Sequence, residues 1–206
     1  MNSRRKLVIA LGASALASHL RSFAQQPERV RRIGALINLA EGDHESKIQV
    51  AAFVRGLQEL GWTVGRNVVI DYRWTEGNAD RVRKYAAELV ALSPDVLLTT
   101  GGSHVGPLQQ ATRSVPIVFI QTADPVGGGF VESLARPGGN TTGFTVFEFD
   151  IGAKWLELLK EIAPRVKRVA VLRDPTNPSG TGLMGAIQAV APSLGVEVSS
   201  PVGLRD

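Results

Sequence analysis

A change of hydrophobic period, repeated along the chain, constrains this sequence most. Short continuous apolar runs alternate with stretches whose apolar residues recur at helical spacing. Residues 30–39 (VRRIGALINL) predict a strand with its apolar core at 33–39. Val50, Phe53, Val54, Leu57 and Leu60 then mark a helical face that stops at Gly61, a natural C-terminal cap. Residues 67–74 (NVVIDYRW) are β-branched and aromatic, and Val82, Tyr85, Ala86, Leu89 and Val90 share the next helical face, which ends before Pro94. Residues 95–100 (DVLLTT) predict a third strand, 105–112 a helix and 114–120 (SVPIVFI) a fourth strand. Strands apolar throughout are covered on both faces, and strands joined through helices pair in parallel. The expected fold is therefore α/β, with a Rossmann-like parallel sheet.

The rhythm breaks at residues 136–145 (RPGGNTTGFT), which predict a turn, a short strand and a crossing to a new unit. Beyond it, Ile151, Trp155, Leu158, Leu159 and Ile162 form a helical face. Residues 168–174 (RVAVLRD) read as another buried strand, Leu183, Ile187, Val190 and Ala191 as another helix, and residues 196–199 (VEVS) begin one more strand. Pro192 predicts that this last helix stops or kinks around Val190. The expected organisation is a leader over residues 1–24, an N-terminal α/β lobe over 25–146, and a hinge crossing with a partial second α/β lobe over 147–206. A second lobe of this size is expected to leave Val169, Val171, Val196 and the faces around Leu158 and Ile187 partly exposed.

The leader follows from the start of the chain. Arg4, Arg5 and Lys6 precede an apolar, small-residue stretch over residues 7–16, and Ser22 and Ala24 stand at −3 and −1 of a cut after Ala24. That stretch is far short of the roughly 20 apolar residues of a membrane span. Export to the periplasm without stable membrane insertion is expected. The general secretory route and a twin-arginine route through Arg4-Arg5 both remain open. The leader also holds Arg21 and no acid, so removing its four basic residues from the total of 23 leaves 19 against 19 acids. A formally neutral mature chain carries no mark of nucleic-acid binding, despite a whole-chain pI of about 9.8. The absence of cysteine excludes disulfides, thiolate metal sites, thiol nucleophiles and a lipid anchor on Cys.

In open parallel sheets, ligands sit beyond the carboxyl ends of the strands, where backbone N–H groups and helix starts converge. Those positions predict a ligand site from Asn38 after the first strand, Thr100, Gly101, Gly102 and Ser103 after the third, and Thr122, Ala123 and Asp124 after the fourth. Hydroxyls and bare glycine N–H groups suit a carboxylate, and Asp124 suits an ammonium. The plain alternative is that Thr100 and Ser103 cap a helix and Asp124 makes a turn before Pro125. Phe147 is an expected pocket wall. Gly180-Thr-Gly182-Leu-Met-Gly185 matches a dinucleotide fingerprint, yet residues 175–179 separate it from its strand and Glu197 lies inside the next strand. No catalytic constellation emerges. His44 and His104 lack a neighbouring nucleophile pattern and read as solvent-facing or locally hydrogen-bonded, and the acids beside His44 read as a solvated loop rather than a metal site. No cofactor is expected.

Several stretches resemble one family. Phe53-Val-Arg-Gly-Leu-Gln-Glu-Leu-Gly61, Gly65-Arg-Asn67 and Ile70-Asp-Tyr-Arg-Trp-Thr-Glu-Gly77 are similar to the opening of ABC-transporter periplasmic substrate-binding proteins related to tryptophan-binding ones. Pro116-Ile-Val-Phe119, Asp124-Pro-Val-Gly127, Leu134-Ala-Arg-Pro-Gly-Gly-Asn140, Thr142-Gly143, Leu156-Glu-Leu-Leu-Lys160, Val169-Ala-Val-Leu172 and Asn177-Pro178 continue the likeness in order. The resemblance implies two lobes of the type I periplasmic-binding-protein fold closing on a small solute. It implies an amino-acid-like solute, aromatic amino acids among the candidates, and an ABC permease and ATPase as partners. It places Asp174 and Asn177 in the second lobe's half of the cleft. Family members continue further, so the chain resembles a truncated member. The competing expectations are a nucleotide-dependent Rossmann-type enzyme built on residues 180–185, which cofactor titration would test, and a sensory or remnant binding lobe that feeds no transporter.

Overall fold

The computed structural model describes residues 29–173 and 177–202. The leader and Asp174 lie outside these. Five parallel strands form the first sheet: β1 (Arg31–Ile37), β2 (Val68–Trp74), β3 (Val96–Thr100), β4 (Ile117–Thr122) and β5 (Thr141–Thr145), in the order β2-β1-β3-β4-β5. Helices α1 (His44–Glu59), α2 (Ala79–Ala91) and α3 (Val105–Ala111) make the crossovers, and a 3₁₀ turn (Gly102–His104) precedes α3. Because side chains alternate along a strand, β1 feeds two cores. Leu36 joins Leu97 and Ile117 under α2 and α3, with Val82, Leu89 and Leu108. Ile33 joins Val68 and Leu98 on the other face, beneath Phe53 and Leu57 of α1. Both faces are covered, as the continuous apolar runs require.

The fourth strand starts later than its apolar run suggests. Pro116 has no N–H to give a ladder and offers only its carbonyl, to Leu97 N at 2.8 Å, so pairing begins at Ile117. At the opposite end of the sheet, Asp95 accepts from Arg32 N and Arg31 Nη1, each at 2.8 Å. These bonds, the Arg32 backbone N–H first, hold its carboxyl below the usual carboxylate range.

The second sheet pairs β6 (Arg168–Leu172) with β7 (Glu197–Val202) in parallel, beside α4 (Ile151–Ile162) and α5 (Thr181–Val190). α5 ends at Val190, as Pro192 requires. Two expectations change here. β6 is covered on one face only: Val169 and Val171 turn toward the helices, whereas Leu172 is 65% exposed, so the strand is not a buried one. Conversely, Val196 and Ile187 are buried, because Leu156, Ala191 and Val196 close a small core with Ile187. Leu158 is exposed as expected.

The start of α2 is fixed by Asn78, whose side-chain oxygen accepts from Asp80 N at 3.0 Å and Arg81 N at 2.9 Å. Asn78→Ala is expected to lose about 1 kcal/mol, read as a lower urea midpoint with an unchanged slope.

Candidate functional site

The loops leaving β1, β2, β3 and β4 meet along one edge of the first sheet, and threonine hydroxyls tie the first three together. Asn38 N donates to Thr100 Oγ1 at 2.9 Å, and Gly77 N donates to the Asn38 carbonyl at 3.1 Å. Thr99 Oγ1 donates to the Leu36 carbonyl at 3.1 Å, and Thr75 Oγ1 lies 3.2 Å from the Ile37 carbonyl. Gly101 takes φ +82°, a conformation that favours glycine, and turns the chain into the Gly102–His104 turn beside the Asn38 side chain. Thr100 is thus a loop tie, and no side chain caps either that turn or α3.

His104 lies beneath this edge, fully buried, with Nε2 3.0 Å from Thr75 Oγ1. Burial pushes its imidazole down to about 4, and the Leu36 and Thr100 carbonyls offset that only in part. The local hydrogen bond expected of His104 is present. His44 is exposed at the first residue of α1.

After β4, Thr122 is fully buried and its hydroxyl has no hydrogen-bond partner. Half-buried Ala123 leads to Asp124, which is 4% exposed and sits at φ +43°. Asp124 Oδ1 accepts from Gly127 N at 2.9 Å and its carbonyl accepts from Gly128 N at 2.9 Å, which makes the turn before Gly127. Its other carboxylate oxygen, Oδ2, has no hydrogen-bond partner. Turn-making and a free acceptor coexist in one side chain.

The expected site residues that line a hollow fall around three rather than one, and Asn38, Gly101, Thr122, Ala123 and Asn177 line none of the three. Gly102 and Ser103 line a cavity of about 300 Å³ with Gly77, Ala79, Phe130 and Pro178, the last contributed by the second lobe. Asp124 and Phe147 line another of about 320 Å³ with Pro125, Leu134, Thr145 and Phe149. Thr100 borders a hollow of about 30 Å³ beneath α1, too small for a solute. Phe147 is half-exposed and meets Trp155 edge-on, ring centres 6.0 Å apart. Asn177 is half-buried and leads into the 3₁₀ turn Pro178–Gly180 that faces Gly102–His104. Phe130 and Pro178 were not legible as lining residues. Phe130 follows three glycines that permit its fold-back, and Pro178 acts only through the approach of the two lobes.

The fingerprint-like Gly180, Gly182 and Gly185 sit at the start of α5, but Gly182 lies directly against Asp124 Oδ2. A carboxylate therefore stands where a pyrophosphate would approach this helix, and the geometry opposes nucleotide binding there.

The sequence profile of the ABC transporter substrate binding protein family matches residues 35–202, so the chain belongs to that family. Its fold is that of a type I periplasmic binding protein. The tyrosine-binding protein of Clostridioides difficile (strain R20291) is 29% identical over 121 residues, 58% of this chain and 34% of the relative. Among solved structures, a conserved domain protein from Vibrio cholerae aligns with a TM-score of 0.74 at 27% identity, covering 84% of this chain and 58% of that one. An ABC domain from Streptococcus pneumonia in complex with L-Trp aligns with a TM-score of 0.73 at 25% identity, covering 84% and 57%. The chain thus spans about a third of the curated relative's length and less than two thirds of the two structures' lengths. Proteins of this family bind solutes, are typically extracytoplasmic and are typically not enzymes.

Proposed function

We propose that this chain captures a small amino-acid-like solute, with aromatic amino acids the class to test first, as the substrate-binding component of an ABC importer. The observation that carries this reading is the convergence of the β2, β3 and β4 loops at one sheet edge, where Gly77, Gly102, Ser103 and Phe130 share a cavity with Pro178 of the opposite lobe. Backbone N–H groups and the Ser103 hydroxyl there suit a carboxylate, and the unpaired oxygen of Asp124, which borders the neighbouring hollow and is covered by α5 in this arrangement, suits an ammonium once that helix lifts. Phe147 shares the hollow of Asp124, Asn38 lies beside Gly101, and Ala123 and Asn177 adjoin Asp124 and Pro178 in the chain. The tyrosine- and tryptophan-binding relatives support an aromatic amino acid over an organic acid. The family supports delivery to a permease and its ATPase, and the leader supports location in the periplasm after cleavage behind Ala24.

Titration calorimetry against tyrosine, tryptophan, phenylalanine, leucine and benzoate tests the reading. One saturating amino acid is expected, and Asp124→Ala is expected to weaken it by about 1–3 kcal/mol, the usual cost of losing a partner for a buried charge. No binding by any member would overturn the amino-acid reading, and full affinity in Asp124→Ala would reduce that residue to its turn.

A further inference from the structure

The free oxygen of Asp124 has two unusual neighbours. A Cβ built on Gly127, within the same turn, would overlap Asp124 Oδ2, and so would a Cβ built on Gly182, in the first turn of α5. The clash distances, 2.1 Å at Gly127 and 1.9 Å at Gly182, lie far inside van der Waals contact. The carboxylate therefore fits only because both positions lack a side chain. Gly127 belongs to the loop Asp124 itself closes, whereas Gly182 arrives from the second lobe. Gly180 and Gly185 have open space where a Cβ would stand, so within that motif the demand for glycine falls on Gly182. Phe149, from the crossing between the lobes, completes the enclosure, its Cβ 3.0 Å from the same built position. The contact is also favourable in charge, since the start of a helix carries partial positive charge toward the carboxylate.

We propose that Gly182 is a closure-determining residue: its missing side chain is what lets the second lobe seat α5 over Asp124. This needs no solute and goes beyond the function proposed above. A side chain at 182 strikes a buried carboxylate held by Gly127 N and by a turn, so relief comes from parting the lobes. It also follows that a solute's ammonium reaches Oδ2 only after α5 has moved away.

The chain has no cysteine, so paired spin labels can be placed without background at exposed Glu59→Cys on α1 and Glu161→Cys on α4. Electron–electron distance measurements on the full chain without solute are expected to give one short distance for the parent. Gly182→Ala is expected to lengthen or broaden it by several Å, Asp124→Ala to leave it near the parent value, and Asp124→Ala with Gly182→Ala to bring it back. An unchanged distance in Gly182→Ala, a lengthened one in Asp124→Ala alone, or no recovery in the double variant would each overturn the proposal. Far-ultraviolet circular dichroism on every variant separates parted lobes from lost folding. A failed solute screen leaves this result untouched.

Discussion

Gly143→Ala is expected to lower stability by about 3 kcal/mol, the upper end for adding a methyl group to a packed interior. Gly143 lies in β5 opposite Phe119 of β4, and a Cβ there would lie 2.1 Å from the Phe119 carbonyl oxygen and 2.6 Å from its ring. The ring could turn away, but the carbonyl cannot. Phe119 is also paired with Thr99 of β3, so β4 is held on both sides and any shift spreads through the sheet. Phe119 is 1% exposed and shares a core with Val105, Phe130 and Val131, which leaves no space to retreat into. For a chain of this size the loss corresponds to a fall in Tm of roughly 6–12 °C. Thermal unfolding read by circular dichroism checks it. Since the obstruction is backbone, Phe119→Leu is expected not to restore the loss. A change under about 1 kcal/mol would mean that β5 does not pack against β4 in this way.

Gly143 also shows where the sequence is legible. Its dipeptide Thr142-Gly143 is recognisable as a family feature, yet the need for glycine comes from a carbonyl more than 20 residues earlier in the chain, which no local pattern reveals. The first sheet is readable because burial on two faces writes itself as continuous apolar runs, and the strand-end rule then places Asn38, Thr100–Ser103 and Thr122–Asp124 on one edge. Boundaries slip where one atom decides them, as at Pro116. β6 misleads for a related reason. Residues 168–174 look apolar enough for a buried strand, but the helices of the second sheet cover one face, so Leu172 projects outward. The division of the site residues among separate hollows was not legible, because it depends on how closely Pro178 and Gly182 approach the first lobe. Gly182 was visible as a motif glycine, but the partner that gives it a role is a carboxylate 58 positions away.

The other large effect is a loss of stability in mild acid that belongs to His104. Its imidazole is fully buried, its Nε2 meets Thr75 Oγ1 at 3.0 Å and its Nδ1 has no well-formed partner. No charged side chain contributes to holding a proton on it, and burial lowers it from 6.5 to about 4. The folded state therefore keeps the ring neutral while the unfolded chain takes up a proton near 6.5. With the folded value the lower of the two, the contribution to stability is fully present above about pH 6.5 and is lost as pH falls toward 4. At about 1.36 kcal/mol for each unit of separation, the loss across that window is about 3 kcal/mol. His104→Gln keeps a polar group near Thr75 without a titrating ring. It is expected to be less stable than the parent at pH 7, through imperfect filling of the site, and to lack this part of the acid slope. Urea unfolding of both proteins at pH 7, 6, 5 and 4.5 should thus show their difference shrinking with acidity. Parallel curves would show that His104 does not titrate within a buried site. Asp95, whose carboxyl is held low, titrates below this window in both proteins and cancels in the comparison. Because Thr75 and His104 brace the loops that carry Asn38, Gly77 and Gly102, the same protonation is expected to loosen the ligand-facing edge of the sheet. A bound amino acid should then be released with a midpoint displaced toward the acid side of neutrality, and His104→Gln should flatten that dependence along with the stability curve.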